Sequence, residues 1–159
     1  MKKGKFHLVC KWIIFIIYMA CLIYLVFFAE SMGRTHVQQG YAYNLEPLKE
    51  IRRFWKYIFS TEQIGLASRL NIFGNVIAFI PFGLCLPLIS DHRLKCITTL
   101  LYTFALSLII ELVQLISKVG SFDVDDLVLN CMGGLVGYLL YYVLHRLRMK
   151  SVARKKEGL

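Results

Sequence analysis

The chain has 159 residues, 57% of them hydrophobic, a mean hydropathy of +0.57 and a formal net charge of +9. That apolar share exceeds the roughly 45–50% of soluble domains, so an ordinary soluble fold is excluded and an integral membrane protein is expected. The basic residues crowd the two ends, and the middle carries no RNP, zinc-finger or helix-turn-helix signal. The charge therefore speaks for membrane orientation, with no nucleic acid partner. Cys10, Cys21, Cys85, Cys96 and Cys131 lie inside or beside the apolar segments, and no disulfide is expected. No Cys or His pair has ligand spacing, so neither a metal ion nor a cofactor is expected.

Lys2, Lys3, Lys5 and Lys11 lead into the first apolar run, residues 12–29, long enough to cross a hydrocarbon core about 30 Å thick. This is a signal-anchor pattern, because the run exceeds the h-region of a cleaved signal peptide. Residues 30–70 form an external loop. Within it Leu48, Ile51, Phe54, Trp55, Ile58 and Phe59 recur at helical spacing, with Glu50, Arg52, Arg53 and Lys56 between them. A basic amphipathic helix is expected there, entered through Pro47 at its first position and lying in the membrane interface.

The second span, 72–90, contains Pro81, which has no amide hydrogen, so a kink or local unwinding is expected. Asp91, His92, Arg93 and Lys95 make a tight hairpin turn to the third span, 96–116. The loop 117–126 and a fourth span, 127–144, follow, and residues 145–159 form a basic tail. Four spans put both termini on one side. The positive-inside rule makes that side the cytoplasm, given the amino-terminal lysines, Arg93, Lys95 and the tail. The expectation is a single domain over 1–159: an all-α integral membrane protein, a four-transmembrane-helix bundle with an amphipathic interfacial helix in its first external loop.

With that topology Asn71 and Asn75 open the second span, Glu111 and Gln114 end the third, and Asp123, Asp126 and Asn130 open the fourth, all on the outer side. Asp123, Asp126 and Asn130 fall at i, i+3 and i+7, one helical stripe, continued by Gly133, Gly134 and Gly137. Glycines spaced as Gly133 and Gly137 let a neighbouring backbone approach, which turns the aspartate face into the bundle. Ionisable groups at such depth mark functional sites, so these seven polar residues are the expected ligand-binding set, in an outward-facing cleft.

These residues carry a family resemblance. Asn44-Leu45-Glu46-Pro47, Asn71-x-x-Gly74-Asn75, Phe79-x-Pro81-x-Gly83, Glu111-x-x-Gln114 and Asp123-x-x-Asp126-x-x-x-Asn130-x-x-Gly133-Gly134-x-x-Gly137 together resemble the VanZ-like family over residues 44–140. Gly120 stands where many members carry an arginine, with Lys118 nearby. The resemblance implies an integral protein of the bacterial cytoplasmic membrane, linked to reduced susceptibility to lipoglycopeptides such as teicoplanin. It implies no established reaction.

The reading that follows is a binding protein rather than an enzyme, whose partners are membrane lipids and a lipid-linked wall precursor or lipoglycopeptide. An intramembrane enzyme is the alternative, with Glu111, Asp123 and Asp126 as candidate catalytic carboxylates: two such groups in environments of different polarity can divide acid and base roles. A small transporter or accessory subunit is a further alternative. The oligomeric state is not legible.

Overall fold

Among the described residues four helices are long and apolar enough to cross a membrane, with spans at Leu8–Phe27, Asn71–Ile89, Cys96–Ser117 and Val124–Arg154. The computed structural model describes residues 2–29, 43–57 and 63–157. In chain order the elements are α1 (Lys2–Tyr24), a π-helical turn (Leu25–Ala29), β1 (Tyr43–Asn44), α2 (Lys49–Tyr57), α3 (Gln63–Ile89), α4 (Cys96–Ser117), β2 (Phe122–Asp123) and α5 (Val124–Glu157). The fold is an all-α membrane bundle, as composition and spacing predict, with one two-residue parallel pairing added, Tyr43 opposite Phe122 and Asn44 opposite Asp123.

Several boundaries differ from those predicted, each for a physical reason. Hydropathy marks only the part of a helix inside hydrocarbon. It therefore misses the extra length of α3, which begins at Gln63 within the predicted loop, and of α5, which carries the basic tail as unbroken helix to Glu157. At 1.5 Å per residue α5 is roughly 51 Å long, far more than a bilayer core. The amphipathic segment is helical, but α2 starts at Lys49, with Pro47 in the preceding turn; Ile58 and Phe59 lie outside the described residues. No unwinding occurs at Pro81, since α3 is helical through both Pro81 and Pro87. Tyr18 hydroxyl donates to the Ala78 carbonyl at 2.8 Å, tying α1 to α3 beside Pro81; the carbonyl that Pro81 leaves without its helical donor is that of Ile77.

The seam between α3 and α5 is built on glycine. A Cβ at Gly137 would stand 2.0 Å from the Ile80 carbonyl oxygen, one at Gly133 2.2 Å from that of Val76, and one at Gly83 2.0 Å from that of Gly134. Helix backbones touch here, so the polar face of α5 is forced inward rather than toward lipid. Gly134 also faces α4, where a Cβ would meet the Thr103 hydroxyl at 2.6 Å. Around this seam Leu22, Phe79, Phe82 and Ile110 form the apolar core, with Phe15 of α1 against Phe82 at 6.1 Å between ring centroids.

One end of the bundle gathers the start of α1, the turn between α3 and α4 and the Tyr141–His145 stretch of α5, and we call it proximal. Lys11 Nζ donates to the Leu88 carbonyl at 2.8 Å and lies 3.5 Å from Asp91. In the hairpin turn Asp91 and His92 both adopt positive φ, 50° and 66°. His92 then reaches α5, where its Nδ1 shares a 2.6 Å hydrogen bond with Tyr141 hydroxyl and its ring lies 4.3 Å from that of His145. Burial, followed by the positive charge of His145 and Lys11, holds His92 below the usual histidine range. All five cysteines are free thiols.

The seam makes a paired prediction. Gly137→Ala should cost about 1–3 kcal/mol, because the clash is with backbone and no rotamer relieves it. Gly74→Ala meets nothing within 4 Å and should be neutral or stabilising by up to about 1 kcal/mol through helix propensity. Thermal unfolding of the two variants in detergent checks the difference.

Candidate functional site

The polar residues expected from the sequence converge at the distal end, away from the termini. Glu111 reaches it from the last turns of α4, Asn71 and Asn75 from the middle of α3, and Asp126 from the first turn of α5. Asp123 is not on the helical stripe; it lies in β2, immediately before α5, and the stripe begins at Asp126. The predicted loop 117–126 is thus shorter than its bounds. Lys118 ends α4 in the left-handed conformation, φ 56°, with its N–H on the Leu115 carbonyl, and Gly120 N–H returns to the Gln114 carbonyl at 3.3 Å. This fold-back delivers Asp123 beside Glu111.

Asp123 is the node of the site. Its N–H donates to Glu111 Oε2 at 2.9 Å, and its carboxylate accepts the Asp125 N–H at 2.8 Å. From the loop, Asn44 Nδ2 donates to both Asp123 oxygens at 3.1 and 3.2 Å, while Asn44 Oδ1 accepts Glu46 N–H in an Asx turn. Leu48 N–H, on a residue held at φ 65°, donates to Asp125 Oδ1. Across the bundle Asn75 Nδ2 donates to Asp126 Oδ1 at 2.6 Å and to Asn71 Oδ1 at 2.8 Å.

Two expected members sit apart. Gln114 Nε2 donates to the Val26 carbonyl in the π-helical turn at 3.3 Å, so it ties α4 to α1 rather than joining the carboxylates. Asn130 lies one turn inward of Asp126 and donates to Ser107 Oγ at 2.8 Å, beneath the cluster; its Oδ1 is buried without a partner among the described residues. Asn44, Asp125 and Ser107 complete the arrangement and were not in the predicted set. Ser107 had a signal: Thr99, Thr103, Ser107 and Glu111 recur every fourth residue on an otherwise apolar helix, and all are buried.

The site is enclosed rather than an open cleft. Exposure is 3% at Glu111, 7% at Asp123, 0% at Asp125, 7% at Asp126 and 3% at Asn130. Burial pushes the Asp123 carboxyl above its ordinary value, against the stabilising Asp125 N–H and Asn44 amide. Among the described residues no three His, Cys, Asp or Glu side chains are grouped to hold a metal ion. His92 and His145 lie with Tyr141, about 15–19 residues along α5 from Asp126 and so roughly 22–28 Å away, out of reach of the carboxylates.

The raised Asp123 titration has a definite sign. A carboxyl that holds its proton to higher pH when folded contributes stability below its unfolded value, and that contribution is lost as pH rises through the folded value. Asp123→Asn cannot ionise. Its melting temperature relative to the native protein should therefore move in the variant's favour as pH rises from 4 to 7, measured in detergent; a constant difference would contradict the burial argument.

No solved structure matches this chain. It is 37% identical over 67 residues to Protein VanZ of Enterococcus faecium, a match covering 42% of this chain and 41% of that relative. The stretch shared with the relative is therefore less than half of either protein. The model of the VanZ/LLP1 family matches residues 15–145, from the first span to the proximal part of α5, and the chain belongs to that family.

Proposed function

We infer that this protein is a glycopeptide-resistance-associated protein of the bacterial cytoplasmic membrane, which binds a lipid, a lipid-linked wall precursor or a lipoglycopeptide at its distal carboxylate cluster. The observation that carries this reading is the burial of Glu111, Asp123, Asp125 and Asp126 together, bound to Asn75 and Asn44. Buried charged networks return less than their desolvation costs, and apolar side chains of similar volume commonly stabilise a fold as well or better. Stability alone is therefore a poor reason for four carboxylates at the end of an apolar bundle, and ionisable groups at membrane depth are functional by default.

Both termini are cytoplasmic in this reading. Arg93 and Lys95 in the proximal turn and Arg146, Arg148, Lys150 and Arg154 on α5 lie at the proximal end. The cluster then faces the outer leaflet, where wall precursors and glycopeptides meet. The short helix α2, with exposed Arg52, Arg53 and Lys56, lies along the same interface, its cations toward anionic headgroups.

The test is substitution of the two carboxylates that come from different helices. In a host where the protein lowers teicoplanin susceptibility, Glu111→Gln and Asp126→Asn should each abolish the phenotype at unchanged membrane abundance. Retention of the phenotype by both would leave the cluster a structural network only. Labelling of cysteines introduced at 43 and 118 from outside intact cells, with no labelling at 150, checks the orientation.

A further inference from the structure

Residues 43–48 cover the carboxylates by supplying hydrogen-bond donors to them. Asn44 Nδ2 spans both oxygens of Asp123, and Leu48 N–H serves Asp125. These are the contacts a guest with several N–H groups would make. Among the described residues its backbone pairing is two residues long. A left-handed non-glycine residue, Leu48, closes it, a conformation disfavoured for an L-residue.

A second observation lies beneath. Asn130 Oδ1 is buried and has no partner among the described residues, while its Nδ2 is committed to Ser107. Asn130 sits one turn inward of Asp126, and Ser107 one turn inward of Glu111, so this amide forms the floor under the two carboxylates. A buried acceptor of this kind calls for a donor. At the rim the strap supplies donors; at the floor an acceptor is left over.

Resting on the binding function inferred above, we propose that residues 43–48 are a strap that stands in for the ligand, and that the ligand is a primary ammonium group, which displaces the strap from the carboxylates and reaches Asn130. A primary ammonium offers three donors and no acceptor, and its charge complements the carboxylates. The strap continues directly into α2, whose exposed Arg52 suits a phosphate. An aminophospholipid headgroup presents both charges, and a free amine presents the first alone.

Tyr43 and Phe122 are register partners in the parallel pairing, and Tyr43 is exposed, so Tyr43→Cys with Phe122→Cys makes a reversible lock that leaves the carboxylates untouched. The purified full chain is melted in micelles doped with phosphatidylethanolamine, with phosphatidylcholine, whose ammonium has no N–H, or with soluble ethanolamine. Phosphatidylethanolamine should raise Tm by about 4 °C or more and phosphatidylcholine should not. Asn44→Ala should give the same rise at lower lipid. Oxidising the cysteine pair should abolish the rise and reductant restore it, and Asn130→Leu should shrink it. A rise with ethanolamine alone supports the ammonium and assigns it to a soluble source.

Equal response to the two phospholipids, with none to ethanolamine, overturns the ammonium ligand. A full rise in the oxidised pair overturns the strap. Either result can occur while Glu111→Gln and Asp126→Asn still abolish resistance, so the broader binding function fails or stands separately.

Discussion

The backbone and carboxylate of Asp123 together are the joint on which the distal end depends. One residue donates to Glu111 of α4, accepts from Asn44 of the loop and starts α5 through the Asp125 N–H. Three segments, one of them 79 positions away in the chain, are thus fixed relative to one another by a residue with one backbone donor and a single carboxylate. Because the carboxyl is buried, each bond matters more than it would in water, and losing one would leave a polar group without compensation. The joint holds the site closed and also makes it sensitive to whatever competes for the carboxylate.

That joint needs close approach elsewhere. Asn75 can reach Asp126 at 2.6 Å because Gly133 and Gly137 bring α5 onto the backbone of α3 one to three turns further in. The glycine seam and the carboxylate cluster are consecutive parts of one helix face, the first setting the interhelical distance that the second uses. Polar contact between spanning helices is modest in energy, about 0.6 kcal/mol on average, so packing at the glycines carries the assembly and the polar bonds set its geometry.

Much of this was legible from residues alone. Alternating spans place Asn75, Glu111 and Asp126 at one end whatever their side-chain conformations, and the Gly133 and Gly137 spacing marks the buried face. Asn44 and Asp125 were not legible as partners: a two-residue strand has no periodicity, and its pairing spans 79 positions through two membrane helices. At Pro81 the missing amide hydrogen does not unwind α3, because a spanning helix can absorb the loss of one backbone hydrogen bond. Gln114 shares a helix face with Glu111, yet a π-helical turn in α1 offers it a carbonyl first. The lengths of α3 and α5 escaped because hydropathy reports the solvent a helix crosses and not where the helix stops.

The pairing of Tyr43–Asn44 with Phe122–Asp123 also orders the protein's biogenesis. Synthesis proceeds from the amino terminus, so α3 and α4 emerge with Asn75 and Glu111 in place before Asp123 and Asp126 exist. The hairpin of α3 and α4 must therefore enter the membrane with Glu111 lacking the amide of Asp123. An acidic residue costs roughly 2.5–3.5 kcal/mol at the centre of a spanning helix and less near an interface. The position of Glu111 near the end of its span keeps this intermediate tolerable, and arrival of the last helix adds the Asp123 amide to the partners of Glu111 and closes the loop of chain begun at Asn44.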